Sequence, residues 1–261
     1  MKDFEMPISA NEILDGINGG QFVPYFQPKI QNGTKKITGS EALIRWRHPQ
    51  KGILLPKLFL PTAKKNRLLP LISNIVIDES LNLLSILKDR NLSATIAINI
   101  DECNLASSDF AVVVKEKCQQ KKIDTSMIYF EISETFTLDD EKLFSGVLSL
   151  YKEGFNLSVD DFGTKLSTIQ RLIELPIREV KFDKFFLVES KKSEKGKFLF
   201  HELLQMIRSI NCAIVIEGVE TRDHLESISH LDFCQLQGFY FSPGVEGKAF
   251  SKLLGEQPFA S

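Results

Sequence analysis

The stretch of residues 155–163 has the sequence Phe-Asn-Leu-Ser-Val-Asp-Asp-Phe-Gly, and it follows directly on Gly154. Its alternating apolar residues predict a short strand that ends in the adjacent carboxylates Asp160 and Asp161. Two neighbouring carboxylates repel each other, and a carboxylate at a buried strand end needs a partner. A divalent metal ion is one such partner, because it takes oxygen ligands. Taken alone, the pair is more simply interpreted as a solvated loop with a turn glycine. Whether it is a metal site depends on the residues in the rest of the chain.

Segments of similar character recur along the chain and alternate with amphipathic segments. The predicted strands are short and largely apolar, as expected for strands buried on both faces of a parallel sheet. They cover residues 94–100, 127–132, 179–182, 212–218 and 233–237. The predicted helices have apolar residues at helical spacing. They cover residues 58–67, 70–90, 107–121, 143–153, 167–173, 193–210, 223–230 and 248–254.

The amino-terminal part has a different pattern. A short helix is predicted at about residues 9–19, capped by Ser9. Residues 22–30 form an extended segment whose two prolines predict an edge or outward strand. Asn32-Gly33 is a tight-turn signal, so the next strand, at 37–45, should pair back on the first as an antiparallel hairpin.

Strand and helix alternate about eight times, which predicts a (β/α)8 TIM-like barrel whose first strand is antiparallel. The whole chain of 261 residues is then one domain, with a short amino-terminal helix and a barrel at about 22–254. A doubly wound open sheet is the alternative fold. It is weakened because no glycine-rich phosphate-binding turn follows any predicted strand.

Composition narrows the class of protein. The chain is 43% hydrophobic and 25% charged with a net charge of −2, which is ordinary for a soluble globular domain. There is no basic excess, so DNA binding is not expected. No uninterrupted apolar run approaches the ~18 residues of a membrane span, and the amino terminus does not resemble a signal peptide, so no membrane association is expected. The four scattered cysteines predict reduced thiols in a cytoplasmic protein.

Polar residues occur where the predicted strands end, and in a barrel all of them would point into one carboxyl-terminal mouth. They are Glu41, Asn99, Glu131, Asp160, Asp161, Lys181, Glu217 and Gln237. Five of these are carboxylates, and one lysine balances them, so the cluster is unfavourable without bound cations. All candidate ligands are oxygens, with no histidine or cysteine, which favours Mg²⁺ or Mn²⁺ over zinc.

This number of carboxylates is compatible with two metal ions about 3.5–4 Å apart, an arrangement suited to phosphoester cleavage. Lys181 could orient the attacking water or stabilise the developing charge. The residues alone therefore predict a metal-dependent phosphoester hydrolase.

An ordered set of motifs is similar to that of the EAL-domain family and extends over about residues 9–254. The motifs are Tyr25-Phe26-Gln27-Pro28, Glu41-Ala42-Leu43-Ile44-Arg45, Asn99, Glu131-Ile132-Ser133-Glu134, Asp160-Asp161-Phe162-Gly163-Thr164, Lys181-Phe182-Asp183, Glu217-Gly218-Val219-Glu220 and Gln237-Gly238. The resemblance implies a bacterial phosphodiesterase that hydrolyses cyclic di-GMP to linear pGpG with two Mg²⁺ or Mn²⁺ ions and is inhibited by Ca²⁺. It also implies second-messenger signalling in biofilm and motility regulation, a homodimer, and an upstream sensory or receiver domain if the chain is a fragment.

The same resemblance implies a role for each matching residue. Glu41, Asn99, Glu131 and Asp160 would hold one metal, and Asp160 with Asp161 would hold the second. Glu41 would thereby belong to the catalytic set, with Lys181 contacting the attacking water and Glu217 acting as general base or as a ligand of that water. Gln27, Leu43, Arg45 and Gln237 would form the substrate-binding set, Gln237 also orienting its neighbours. Glu134 would stabilise the loop after Asp161, which the family uses to couple dimerisation to activity.

Two positions depart from the family pattern. Lys165 replaces a usual glycine, which is either harmless or stiffens that loop. Residues 63–67 are basic and are interpreted as a solvated or interface patch. Two other functions remain open: a catalytically weak cyclic di-GMP receptor of the same fold, and a protein-interaction domain without a nucleotide. The first would ordinarily have lost several of the acidic residues, whereas this chain keeps them all.

Overall fold

Eight strands close into a barrel in the computed structural model, which describes residues 8–133, 140–163 and 168–256. The strands are β1 (Phe22–Gln31), β2 (Lys36–His48), β3 (Gly52–Leu54), β4 (Thr95–Ile100), β5 (Ile128–Ile132), β6 (Asn156–Phe162), β7 (Glu179–Phe182), β8 (Ala213–Ile216) and β9 (Gln235–Leu236). The helices are α1 (Ala10–Asn18), α2 (Pro56–Lys65), α3 (Leu69–Asp89), α4 (Glu102–Leu105), α5 (Phe110–Gln120), α6 (Glu141–Lys152), α7 (Thr168–Glu174), α8 (Lys184–Lys192), α9 (Glu194–Ser209), α10 (Arg222–Ile228) and α11 (Gly247–Gly255), with a 3-10 turn at Thr125–Met127. The predictions for Glu134 and Lys165 concern positions outside the described residues.

The predicted fold class is confirmed. β1 pairs antiparallel with β2 and with β9, and the strands from β2 through β4 to β9 pair in parallel, so the sheet closes on itself. The short β3 only extends the end of β2. The predicted hairpin at Asn32-Gly33 is also present, because β1 and β2 are consecutive antiparallel partners.

The prediction that β1 is an edge strand is wrong. β1 lies between β2 and β9 in the closed barrel, and its two prolines are nevertheless tolerated. The backbone N–H of Phe26 donates to Val245 O rather than to β2. Pro24 and Pro28 lie two residues on either side of Phe26 and so share its orientation, which means that their missing N–H groups remove no bond to β2.

Three elements were not predicted, namely β3, α4 and α8. α8 begins directly after β7, where Asp183 caps the helix by accepting from the N–H of Phe185. It ends at Ser193, whose φ of −155° breaks the helical path while its side chain caps α9. Two helices therefore stand where the sequence pattern indicated a loop and one helix.

The amino-terminal helix packs against the outer end of the hairpin. Ser9 and Glu12 form the expected capping box of α1. Trp46, which is fully buried, stacks on Phe22 and donates from Nε1 to the side chain of Gln21. A side-chain atom at Gly16 would come within 2.8 Å of the Trp46 ring, so only glycine allows this close approach.

Among the described residues, α3 alone is long and apolar enough to qualify as a membrane span by composition. Ten of its residues are buried, and the helix contacts β1 and β4. This burial is that of a core helix of the barrel.

The parallel register arranges inward-facing side chains in layers. Glu131, Ser158 and Glu179 are direct neighbours on β5, β6 and β7. Side chains alternate between the two faces of a strand, so Asp160 and Lys181, two residues further along, point inward one layer closer to the mouth. The carboxyl-terminal mouth therefore receives the polar residues that follow.

Candidate active site

Lys181 lies at the centre of the site, and its side chain is 1% exposed. The Nζ atom is 3.2 Å from Glu41 Oε2, 3.0 Å from Glu131 Oε1, 3.1 Å from Asp160 Oδ1 and 2.7 Å from Glu217 Oε1. These four carboxylates come from four different strands or strand ends. The barrel thus brings together residues that lie far apart in the sequence.

A hydrogen-bond network orients Glu41. Asn99 Nδ2 donates to Glu41 Oε1 at 3.0 Å, and Gln237 Nε2 donates to Oε2 at 2.7 Å. Gln237 Nε2 also lies 3.1 Å from Gln27 Oε1, and Gln27 in turn donates to the backbone carbonyl of Ser242. Glu41 is therefore held as a carboxylate whose two oxygens face the same cluster.

Asp160, Asp161 and Glu217 form a compact trio of carboxylates. One oxygen of each lies within 4.8 Å of the others, a spacing that a single cation can bridge. Asp161 has a φ of +54°, and the pairing of β6 with β7 shifts register between Val159 and Phe162. This left-handed backbone conformation is uncommon outside glycine, although aspartate is among the residues that tolerate it. This local distortion of β6 places the carboxylates of Asp160 and Asp161 on the same side, close to Glu217.

Glu131 has the donor atoms that a metal ion would use. It is 1% exposed, and neither carboxylate oxygen forms a hydrogen bond among the described residues, although Oε1 lies at ion-pair distance from Lys181. A buried carboxylate without hydrogen bonds is costly. The residues present therefore fit divalent cations with oxygen ligands.

Lys181 was expected to balance the cluster alone, and the structure places a further buried ion pair beside the cluster. A second buried lysine, Lys29 on β1, pairs with Glu179 at 2.6 Å and lies 3.7 Å from Glu131. Because Lys29 and Glu179 neutralise each other, Lys181 still provides one positive charge for the five carboxylates of the cluster, four of which it contacts. When all five are ionised, two divalent cations would bring the net charge of the cluster to zero.

The pKa values follow from this crowding. Burial raises the pKa of Glu217 to about 7, although the charge of Lys181 partly offsets it. Burial and the charge of Glu41 also raise the pKa of Glu131 well above its ordinary value. For Glu41, burial is outweighed by Lys181 and by the hydrogen bond from Gln237, which hold its pKa at about 2. For Lys181, burial is outweighed by the carboxylates around it, so its pKa is raised.

Metal-free protein is expected to lose stability as the pH rises from about 4.5 to 7 because of Glu217. In this window the unfolded chain releases the Glu217 proton at its ordinary pKa of 4.5, whereas the folded protein retains it up to about 7. The free energy of unfolding then falls by up to about 3 kcal/mol. Glu217→Gln should remove this fall, as measured by urea unfolding in EDTA at pH 5 and pH 8. The prediction is contradicted if the free energy of unfolding of Glu217→Gln falls between pH 5 and pH 8 as much as that of the wild type and of the control Glu226→Gln.

The mouth is a cavity of about 310 Å³. Its lining includes the predicted residues Gln27, Glu41, Asp160, Lys181, Glu217 and Gln237. It also includes Lys184, Glu220 and Phe239, which sequence reasoning missed. Lys184 forms an ion pair with Glu220, and Phe239 is 68% exposed. They follow the ends of β7, β8 and β9 by two to four residues, and this position was the signal that could have identified them.

Leu43, Asn99 and Arg45 are not among the described residues that line this mouth. Leu43 and Asn99 line a neighbouring, mostly apolar cavity of about 360 Å³ between β2, α2, α3 and β4. Arg45 is half-buried, donates to the carbonyl of Ile44 and lies 5.9 Å from the ring centre of Tyr25. Burial lowers the pKa of Arg45. Lys64, in the basic segment 63–67, is exposed and pairs with Asp101.

Comparisons with known proteins point to one family. The EAL domain family profile matches residues 10–244. The chain is 30% identical over 247 residues to the bifunctional diguanylate cyclase/cyclic di-GMP phosphodiesterase MucR of Pseudomonas aeruginosa, covering 90% of this chain and 36% of MucR. It is 33% identical over 199 residues to the cyclic di-GMP phosphodiesterase PA2567 of the same organism, covering 76% of this chain and 34% of the relative.

A solved structure of the PaMucR phosphodiesterase in complex with c-di-GMP superimposes with a TM-score of 0.84 at 28% identity. The match covers 92% of this chain and 98% of that structure. The chain spans about a third of the length of the curated relatives it matches.

Proposed function

This chain belongs to the EAL domain family, and we propose that it is a metal-dependent phosphodiesterase that hydrolyses cyclic di-GMP to linear pGpG in bacterial second-messenger signalling. The observation that carries the proposal is the carboxylate cluster around Lys181, in which Glu41, Glu131, Asp160 and Glu217 all lie within 3.2 Å of one ammonium nitrogen. The relatives MucR and PA2567 are named as enzymes of this activity.

Two Mg²⁺ or Mn²⁺ ions are the proposed cofactors. Glu41, Asn99, Glu131 and Asp160 would hold one ion, and Asp160 with Asp161 would hold the other, with Glu217 near the second. The buried carboxylate of Glu131, which forms ion pairs but no hydrogen bond among the described residues, and the compact trio of Asp160, Asp161 and Glu217 support this assignment. When bound, two such cations polarise a phosphodiester and acidify water.

The protein side chains supply positioning and proton transfer. Glu217 has a pKa raised to about 7, which suits a general base at neutral pH, and it faces the mouth. Lys181 stays protonated, so it can stabilise negative charge that develops on the phosphate. Gln237 and Asn99 keep Glu41 oriented through their hydrogen bonds. Arg45 and the exposed ring of Phe239 are the proposed contacts for phosphate and base.

Hydrolysis of cyclic di-GMP in the presence of Mg²⁺ or Mn²⁺, followed by chromatography, tests the proposal. Linear pGpG is expected from the wild type, and addition of Ca²⁺ is expected to suppress it. Tight binding in Ca²⁺ without product would indicate a receptor module instead. Absence of both product and binding would indicate a protein-interaction domain.

The proposed assembly is a homodimer formed through α7 and α8. Ile169 and Ile173 on α7 are 56% and 80% exposed, and Phe185 on α8 is 51% exposed. The two helices follow the adjacent strands β6 and β7, and exposed large apolar side chains are typical of a protein interface. Ile173→Lys is expected to shift the protein from dimer to monomer in sedimentation experiments. Leu58→Lys on α2, also exposed, is the matched control; equal dissociation in both, or in neither, would contradict the assignment.

The cytoplasm is the proposed compartment, supported by four free cysteine thiols. If the chain is part of a longer protein, an upstream sensory or receiver domain is proposed to act on it, since the matched relatives are about three times as long.

A further inference from the structure

A second buried ion pair lies beside the carboxylate cluster, in the same layer as Glu131. Lys29 on β1 is 1% exposed and Glu179 on β7 is 2% exposed, and Lys29 Nζ lies 2.6 Å from Glu179 Oε1. Ser158 Oγ donates to the same Glu179 oxygen at 3.0 Å. Neither charged residue lines the mouth cavity, so the pair is placed to act on the site rather than on a substrate.

The register explains how four distant residues meet. Glu131, Ser158 and Glu179 stand side by side on three consecutive strands and point into the barrel. Lys29 reaches them from β1 on the other side of the barrel interior. Its pairing partner on β2 is Gly39, which has no side chain to occupy that layer.

Lys29 also lies close to a candidate metal ligand. Its Nζ is 3.7 Å from Glu131 Oε1, the same oxygen that is 3.0 Å from Lys181. An ammonium at contact distance from a carboxylate competes with a metal ion for it, and charges in a buried site are screened weakly. Lys181 already lies at contact distance from Glu131, and a shift of about 1 Å would add Lys29 as a second competitor.

We propose that Glu179 is a positioning residue that holds the Lys29 ammonium away from Glu131 and so keeps Glu131 available to a divalent cation. Glu179 provides the nearer counter-charge, and Ser158 fixes its carboxylate. The inference rests on the proposed metal site. It assigns a role in metal affinity to a pair that touches neither substrate nor, in our assignment, metal.

The test is titration calorimetry with Mn²⁺ alone, on protein stripped with EDTA and desalted. Glu179→Gln keeps the size of the side chain but removes the counter-charge, so Lys29 turns to Glu131. The affinity for Mn²⁺ is expected to fall about 10- to 100-fold. In the double variant Lys29→Met/Glu179→Gln the competing ammonium is absent, and the affinity should return to within about threefold of wild type. Glu226→Gln, an exposed helical glutamate, is the matched control and should bind like wild type.

A merely structural role predicts a different result. Unchanged affinity in Glu179→Gln, or a double variant that binds no better than the single one, would overturn the proposal, provided that circular dichroism shows both to be folded. If Glu179→Gln does not fold, Glu179→Asp supplies the measurement. Aspartate keeps the negative charge, but its side chain is shorter and holds the Lys29 ammonium less closely. A reduced affinity of Glu179→Asp for Mn²⁺ supports the proposal, and an affinity equal to that of the wild type overturns it. Failure of the wild type itself to bind Mn²⁺ would instead overturn the proposed metal site.

Discussion

Replacing Glu41 with alanine is expected to reduce the rate of cyclic di-GMP hydrolysis by about 10³-fold or more. Glu41 is 6% exposed and is the point where Asn99, Gln237 and Lys181 converge. Its removal therefore takes away a proposed metal ligand and releases three side chains that it orients. Product formation at saturating Mn²⁺, measured by chromatography, checks the prediction, and Mn²⁺ calorimetry should show weakened binding in parallel.

The control for Glu41→Ala is Glu226→Ala, which removes an exposed glutamate that pairs with Arg222 on the surface of α10. It should retain wild-type activity, because surface ion pairs contribute little. Circular dichroism at the assay temperature separates loss of chemistry from loss of fold. If folded Glu41→Ala still turned over substrate at a tenth or more of the wild-type rate, the proposed ligand role of Glu41 would have to be abandoned.

Lys181→Met is expected to destabilise the metal-free protein by about 3–5 kcal/mol. Lys181 is the shared counter-charge of four carboxylates and is 1% exposed, so its loss leaves those carboxylates facing one another in a buried site. Divalent cations can replace the missing positive charge. Mn²⁺ should therefore raise the unfolding temperature of Lys181→Met by more than it raises that of the wild type.

Thermal unfolding in EDTA and in excess Mn²⁺ measures both effects. Lys184→Met is the stability control, because Lys184 is 40% exposed and pairs with Glu220 at the rim. An equal loss of stability with and without Mn²⁺ would show that cations do not substitute for Lys181. In that event the carboxylate cluster would be a structural ion-pair network and not a metal site.

Periodicity in the sequence predicted much of the barrel. Strands such as β4 and β5 are nearly continuous apolar runs, which single out strands covered on both faces. The apolar runs also identified the polar residues at the strand ends. The carboxyl ends of all parallel strands meet at the mouth of the barrel, so a charged residue that ends such a run lies at the mouth. Both patterns involve neighbouring residues. They predict the folded arrangement because side chains alternate between the two faces of a strand, so the position in the sequence determines the face.

Other features depend on contacts between distant segments. The prolines of β1 suggested an edge strand. Only the tertiary structure, in which the N–H of Phe26 donates to Val245 O, shows that the missing N–H groups of the prolines point away from β2. The break between α8 and α9 depends on the extended backbone conformation of Ser193, which the helix propensity of the residues does not predict.

The sequence by itself determined the fold class, the order of the strands and the acidic character of the mouth. The alternation of strands with helices and the polar residues at strand ends both depend on residues that are close together in the sequence. Only the tertiary structure decided how the charges pair. Lys29 and Glu179 lie 150 positions apart, and Lys181 and Glu41 lie 140 positions apart. Their pairing depends on strand register and barrel closure, which place inward-facing residues from opposite ends of the chain in the same layers.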